Sequence, residues 1–563
     1  MDTSNKYCSI LFDVLESKGV RDVVCSPGSR NVPLLLAAAA REKMKKHFAV
    51  DERNGAFMAL GMASVSNRPV ALICTSGTAL LDYSPAIAEA FYQGVPLIVI
   101  SADRPIQWID QDDSQTLRQD GVLDFFVKKS FSIPAAIQDY NGNDNKEMEW
   151  YVDRLANEAM ITATSGRQGP VHINVHLSEP LNGQSENKHN HRLISAFEPD
   201  TIGNREIFKE WAKELSSLKI MLVAGFGRPD AALQKAVSEF RRFPNVAIMA
   251  ETISNLHLPP QDYSVDSVLS AYPSEELDEL APEVIISIGG SLVSRKLKEY
   301  LRRNSSSCQH WAVGPSNFLA DPFFSLSKRI EIDPVRFFRG VNALMKKLKV
   351  ESSYQEDWNE KRCNALRRKA EIIEAAPWSE LKAFDFILKR LPSDVNLFLS
   401  NGTPIRYDQI LPHPLPHASY CNRGVSGIDG SVSTAIGGAI VYKGPTIIIT
   451  GDLSMAYDIG SLALKETPQR FKIIIIDNQG GGIFRFIPST SNLTFLEEYL
   501  CQPPLLPLQQ LAEGYGYHYF ECSSYDQLEK VFPRFLDSSV KSLLRISVDG
   551  IASAATLRSY FSS

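Results

Sequence analysis

The sequence predicts an α/β protein of three domains, each a doubly wound parallel sheet. Two observations predict this. Short apolar runs rich in Val and Ile recur along the chain, alternate with helix-length segments, and end in Gly, Ser or Asp. Runs of that kind suit strands buried on both faces, as in parallel sheets covered by crossover helices. They also fall into three sets with two breaks between them, and a chain of 563 residues is too long for a single core.

The first set contains VRDVVCSPG (20–28), VALICTSG (70–77) and PLIVISAD (96–103), within a predicted domain 1–185. The opening segment before it, MDTSNKYCSILFDVLESKGV, reads as an amphipathic helix. The second set is KIMLVAGFG (219–227), VAIMAE (246–251), VIISIGG (284–290) and RIEID (329–333), within 195–345. The third is NLFLSNG (396–402), TIIITGD (446–452), KIIIIDN (472–478) and LLRISVD (543–549), within 375–563. The polar stretch 177–200, with Pro and Gly and no periodicity, reads as a linker. The charged stretch from about 349 to 377 reads as an exposed connecting helix.

The formal net charge of −6 gives no reason to expect nucleic-acid binding. No segment reaches the roughly 18–20 apolar residues needed to cross a bilayer, so membrane insertion is not expected. The charged N-terminus does not resemble a signal peptide, which predicts a cytoplasmic protein. The eight cysteines are scattered without a CxxC pair, so a zinc site is not expected and free buried thiols are. GFGRPD (225–230) lacks the third glycine of a dinucleotide fingerprint and carries Pro229, and SIGGSL (287–292) reads as a strand-to-helix turn.

The chemistry begins in the third set. One strand runs into Gly451-Asp452-Leu453-Ser454, and a second, some two dozen residues on, runs into Asp477-Asn478-Gln479-Gly480-Gly481. Asp452 and Asn478 each follow a buried strand, at the end where open α/β sheets bind ligands. A carboxylate, an amide oxygen and the Gly480 carbonyl are hard oxygen ligands that suit Mg2+ or Mn2+ beside a phosphate. Ser454 is small and its hydroxyl can donate to a phosphate oxygen. The pattern resembles the thiamine-diphosphate motif, GDG followed by NN, with Leu453 and Asp477 as departures. That cofactor needs a carboxylic acid beside its pyrimidine N1′. Glu52, in HFAVDERNGAFMALGMA (47–63), is such an acid at a helix start.

Longer segments narrow the resemblance. SPGSRNVPL (26–34), DERNGAFMALGMA (51–63), TSGTALLDYSPAIAEA (75–90), ISADRP (100–105) and DSQTLRQDG (113–121) are similar to the first domain of the MenD family. NRGVSGIDGSVSTAIGGA (422–439), GDLSMAYD (451–458) and DNQGGGIFRFIP (477–488) are similar to its third. This is the family of 2-succinyl-5-enolpyruvyl-6-hydroxy-3-cyclohexene-1-carboxylate synthases of menaquinone biosynthesis. The resemblance implies pyrimidine-binding, central and diphosphate-binding domains of the thiamine-diphosphate enzyme type. It implies a carboligase that decarboxylates 2-oxoglutarate and adds the remaining four-carbon unit to isochorismate. A homodimer or homotetramer follows, since in that superfamily facing domains come from different subunits. The alternative is another thiamine-diphosphate-dependent decarboxylase or carboligase.

The resemblance also assigns residues. Glu52 is the catalytic acid, and Ser426, Gly427, Ile428, Asp452, Leu453, Ser454, Asn478, Gly480, Ile483 and Phe484 bind cofactor. Ser29, Arg30, Arg104, Gln115, Arg295 and Lys296 hold isochorismate, and Arg406 and Arg423 hold 2-oxoglutarate. The family often has Lys before Arg where this chain has Arg295-Lys296, which leaves open which of the two meets substrate. Charge arithmetic points the same way independently: two dicarboxylates beside a diphosphate call for several cations, with Arg favoured for bidentate contacts.

Overall fold

In the computed structural model, the structure describes residues 2–135, 146–185, 191–196 and 205–562. Part of the expected linker, residues 186–190 and 197–200, lies outside the described residues. The chain divides into two compact units. One comprises Met1–Glu198, Gly424–Thr446 and Tyr457–Phe471, and the other Pro199–Arg423, Ile447–Ala456 and Lys472–Ser563.

The first unit holds a six-stranded sheet in the order Lys45–Phe48, Asp22–Cys25, Val70–Cys74, Leu97–Asp103, Val171–His176, Ser130–Ile133. All its pairs are parallel, as in Val24 opposite Leu72 and Ile98 opposite Val171. Asp22–Cys25, Val70–Cys74, Leu97–Asp103 and Val171–His176 are buried throughout, as expected for strands covered on both faces. The expected N-terminal helix is Lys6–Ser17. Asn5 caps it by accepting from the Cys8 N–H, and Tyr7, Ile10, Leu11, Phe12, Val14 and Leu15 enter the core.

The same unit contains a helix contact that the three sets did not anticipate. Glu52–Ser66 packs against Ser431–Val441, and small residues let the backbones touch. A Cβ added at Gly61 would lie 1.8 Å from the Thr434 carbonyl oxygen, and one at Gly437 1.9 Å from that of Met58. Asn54 Nδ2 donates to Asp458 Oδ1 at 2.7 Å and to Ser433 Oγ at 2.9 Å, locking this crossing with buried polar groups.

The second unit holds a five-stranded parallel sheet, Val246–Ala250, Ile220–Ala224, Val284–Ile288, Gln309–Val313, Leu326–Ile330. At its switch point Gly225 and Gly290 close on each other, so a Cβ on Gly225 would lie 2.2 Å from the Gly290 carbonyl oxygen. Glycine here serves backbone packing. The third sheet runs Ala418–Tyr420, Asn396–Leu399, Thr446–Gly451, Phe471–Asp477, Ser542–Ser547, His518–Cys522. Three parallel α/β sheets are the fold class expected.

Two expectations change. The connecting segment is a helix, Tyr354–Ala375, but it is not simply exposed. Tyr354, Trp358, Arg362, Ala365, Lys369 and Ile373 form a buried stripe. Its charges mislead because Arg362 is itself buried, 3.0 Å from Asp262 Oδ1. The eight thiols are free, but Cys363 is exposed on the outer face of that helix and Cys308 half-buried. Among the described residues, no helix is long and apolar enough to cross a membrane.

Candidate active site

In the third sheet the chain steps outward from Asn396–Leu399 to Ala418–Tyr420, then returns to Thr446–Gly451 on the other side. That reversal opens a crevice at the carboxyl ends of Asn396–Leu399 and Thr446–Gly451. Asp452 stands there, buried at 4% exposure. Its Oδ1 accepts from the Leu453 N–H and its Oδ2 from the Gly480 N–H, both at 2.7 Å, so one carboxylate ties the two motif loops together. Burial raises its pKa to about 6, and a bound cation would relieve that cost.

Asn478 completes the pattern. Its Nδ2 donates to Glu380 Oε1 at 2.6 Å, while Oδ1 is buried with no hydrogen-bond partner. Gly480 lies at φ +81°, and a Cβ there would meet the Gln502 carbonyl oxygen at 2.3 Å. Arg485 Nη1 donates to the carbonyls of Asn478 at 3.0 Å and Gly480 at 2.8 Å, and Glu497 holds that guanidinium from behind at 2.8 Å. Asp477, the departure from NN, pairs with Arg545, whose Nε is 2.8 Å from Oδ2. A carboxylate, an orphaned amide oxygen and a loop carbonyl fit a small hard divalent cation. A cavity of about 290 Å³ opens beside Asp452, with Gln479, Pro503 and Arg545 among its lining. Ser454 is buried, whereas Leu453, Ile483 and Phe484 are half-buried.

Arg406 and Arg423 sit in the same unit, after the strands Asn396–Leu399 and Ala418–Tyr420. The Nε of each is buried without a hydrogen-bond partner. Arg423 Nη1 donates to Asn401 Oδ1 at 2.8 Å. Arg406 is held below the usual arginine range, by burial first and by the Arg423 and Arg295 charges among the lesser causes. Arg295 itself is exposed and paired with Glu299 at 2.7 Å, while Lys296 lies over the Phe561 ring at 5.3 Å.

In the first unit the sheet reverses between Asp22–Cys25 and Val70–Cys74. The segment after Asp22–Cys25 carries Ser29, which is exposed, and Arg30, which is buried. Arg30 Nη1 donates to the Leu177 carbonyl at 3.1 Å and lies 3.3 Å from Glu179 Oε1. Burial, then the charge of Arg104, holds Arg30 below the usual arginine range, so the two cations share one region. Arg104 Nη1 pairs with Asp113 at 2.9 Å, and Gln115 is exposed at φ +55°. Glu52 is the first residue of its helix, capped by Asp51, whose Oδ1 accepts from the Asn54 N–H at 3.1 Å. Burial raises the Glu52 pKa. Ser426 takes a left-handed φ of +70° in the loop that continues through Gly427 and Ile428.

The thiamine pyrophosphate enzyme N-terminal TPP binding domain matches residues 5–122, and the C-terminal TPP binding domain matches 408–546. A 2-succinyl-5-enolpyruvyl-6-hydroxy-3-cyclohexene-1-carboxylate synthase of Porphyromonas gingivalis is 38% identical, covering 99% of this chain and 97% of its own. The chain belongs to this synthase family. The synthase of Flavobacterium johnsoniae is 34% identical over 98% of this chain and 97% of its own. That of Cytophaga hutchinsonii is 34% identical over 97% of each.

Two residues of this synthase family member escaped the sequence reading. Glu380 holds the Asn478 amide in one orientation, yet nothing in WSELKAF marks it as more than a helix start. Glu89 is buried, with Oε2 accepting from the Val425 N–H at 2.6 Å and Oε1 from Gly424 N–H, and so clamps the loop leading to Ser426. Its position, hundreds of residues from that loop in sequence, carries no local signal.

Proposed function

We propose that this chain decarboxylates 2-oxoglutarate and joins the remaining four-carbon unit to isochorismate, releasing CO2 and 2-succinyl-5-enolpyruvyl-6-hydroxy-3-cyclohexene-1-carboxylate for menaquinone biosynthesis. The observation that carries the reading is the pairing of two features in one unit. One is a buried carboxylate and orphaned amide oxygen at a sheet switch point, and the other is two guanidiniums with buried, unpartnered Nε atoms. The first fits a metal–diphosphate group and the second a dicarboxylic acid.

Asp452, the Oδ1 of Asn478 and the Gly480 carbonyl would hold Mg2+ or Mn2+, with Ser454 donating to the diphosphate. Leu453, Ile483 and Phe484, with Ser426, Gly427 and Ile428, would line the cofactor. Thiamine diphosphate supplies, when bound, the electron sink for losing CO2 from a 2-oxo acid and forming a carbon–carbon bond. Glu52 holds a proton at the pyrimidine N1′, a task suited to a carboxyl whose pKa burial has raised. Arg406 and Arg423 bind the carboxylates of 2-oxoglutarate. Ser29, Arg30, Arg104 and Gln115 bind isochorismate, together with Arg295 or Lys296. A homodimer or homotetramer supplies Glu52 from one subunit and Asp452 from another.

The test is CO2 release from 2-oxoglutarate, with isochorismate, thiamine diphosphate and Mg2+ each omitted in turn. Full release is expected only with all present, and Arg406→Ala or Arg423→Ala should raise the KM for 2-oxoglutarate while leaving cofactor binding intact. Equal turnover of pyruvate, or product formation with isochorismate omitted, would favour another thiamine-diphosphate-dependent decarboxylase.

A further inference from the structure

The pair first expected to supply a cation from the central domain, Arg295 and Lys296, is engaged at the surface with Glu299 and Phe561. One turn further along the same helix, Arg295–Arg303, Lys298 is placed differently. Its Nζ donates to the Leu292 carbonyl at 2.9 Å, and Arg423 Nη2 approaches that same oxygen at 3.5 Å. The ammonium and the guanidinium therefore flank one atom. Lys298 is half-buried, and its ammonium is held below the usual lysine range. Burial is the first cause and the charges of Arg423, Arg302 and Arg406 contribute, against an opposing pull from Glu251.

Two neighbouring carboxylates bond to Val293 and Ser294, and Glu251 Oε2 is left without a hydrogen-bond partner. Glu251 Oε1 accepts from the Val293 N–H at 2.6 Å and the Ser294 N–H at 2.8 Å, and Asp266 accepts from the Ser294 hydroxyl. Among the described residues no carboxylate lies within salt-bridge distance of Arg406, Arg423 or Lys298. These three cations have no ion-pair partner among the described residues, and two of them carry a buried unpartnered Nε–H, so an anionic ligand would satisfy them.

We infer that Lys298 is a specificity-determining residue: paired with Arg423 at the Leu292 carbonyl, it acts with Arg406 as a cation set that selects a 2-oxo acid carrying a second, distal carboxylate. The inference rests on the functional reading above and deepens it. A lysine suits the place, since its flexible point charge can follow the distal carboxylate while the two guanidiniums set the plane of the other.

The test uses the full-length holoenzyme and two ligands of one chain length. These are 2-oxoglutarate as substrate and 2-oxopentanoate, which lacks the distal carboxylate, as competitive inhibitor. Lys298→Met should raise the KM for 2-oxoglutarate about tenfold or more, as loss of a charge-assisted contact implies. It should leave the KM for isochorismate and the inhibition constant of 2-oxopentanoate within about twofold of wild type, and Lys298→Arg should restore most of the loss. A merely structural lysine would move both 2-oxo acids together, and that result, or an unchanged KM for 2-oxoglutarate, overturns the inference. If Lys298→Met fails to fold, Lys298→Gln read by calorimetric binding of 2-oxoglutarate decides on the same terms. If the wild type releases no CO2 from 2-oxoglutarate, the functional reading itself has failed. If it does, and Arg406→Ala alone raises the KM, only the role of Lys298 has failed.

Discussion

Replacing Glu380 isolates how the metal loop is set. The Asn478 amide has two ends, and only the oxygen can ligate a cation. Glu380 Oε1 accepts from Nδ2 at 2.6 Å, which leaves Oδ1 buried, unpartnered and available. Glu380→Ala removes that acceptor, so the amide can rotate and present its N–H2 instead. Loss of a partner that orients a metal ligand costs about 10–100-fold in metal affinity. That corresponds to about 1.4–2.7 kcal/mol. Leaving Nδ2 buried and unpaired adds about 1–3 kcal/mol of lost fold stability, so melting without metal serves as the control. The assay is calorimetric titration of Mg2+ into protein saturated with thiamine diphosphate. Glu380→Gln keeps an acceptor oxygen in place and should bind Mg2+ close to wild type. Unchanged Mg2+ affinity in a cooperatively folded Glu380→Ala protein would refute the reasoning, as would equal losses in the Gln and Ala variants.

Other outcomes follow from the same geometry. Asp452→Ala should abolish the rise in melting temperature that thiamine diphosphate with Mg2+ produces, worth about 2.7 kcal/mol at a hundred times Kd; a wild-type rise in this variant would remove Asp452 from the metal site. His47 is buried between Asp22, 3.1 Å from Nε2, and Glu466, 2.6 Å from Nδ1. Burial alone would lower its pKa, but these two partners overcome that and raise it to about 9. A raised folded-state value stabilises fully below the unfolded value near 6.5 and is lost as pH climbs through about 9, so wild-type stability should fall across that window by at most about 3 kcal/mol. Denaturant melts of His47→Gln should lack this fall, and parallel curves for the two proteins would refute the assignment. Finally, Glu52→Gln and Asp452→Ala subunits, each inactive, should regain up to about half the wild-type activity per mixed dimer, because one site then carries both lesions and the other neither. Verified subunit exchange with no recovery would count against a shared site.

Strand character was legible in the sequence because it is local. Runs such as TIIIT and KIIII are apolar on both faces, and only a covered parallel sheet accommodates that, so the sheets and the motif residues at their ends could be read without coordinates. Asp452 and Asn478 stand out in the same way, since each directly follows a strand. What the sequence alone could not decide depends on groups brought together from distant parts of the chain. The charged stretch from about 349 to 377 reads as exposed from sequence alone, because burial of Arg362 is possible only where Asp262 waits for it. Glu380, Glu89 and Lys298 look like ordinary surface charges on helices. Each takes its meaning from partners far away in sequence or beyond its own helix: the Asn478 amide, the Gly424 and Val425 N–H groups, the carbonyl shared with Arg423. The packing of Gly61 on Thr434 and Gly437 on Met58 is likewise invisible locally, since a small residue shows what it leaves room for only when the other helix is in place. Periodicity and strand ends are properties of a few neighbouring residues, whereas charge pairing and close approach belong to pairs of segments that only the tertiary structure selects.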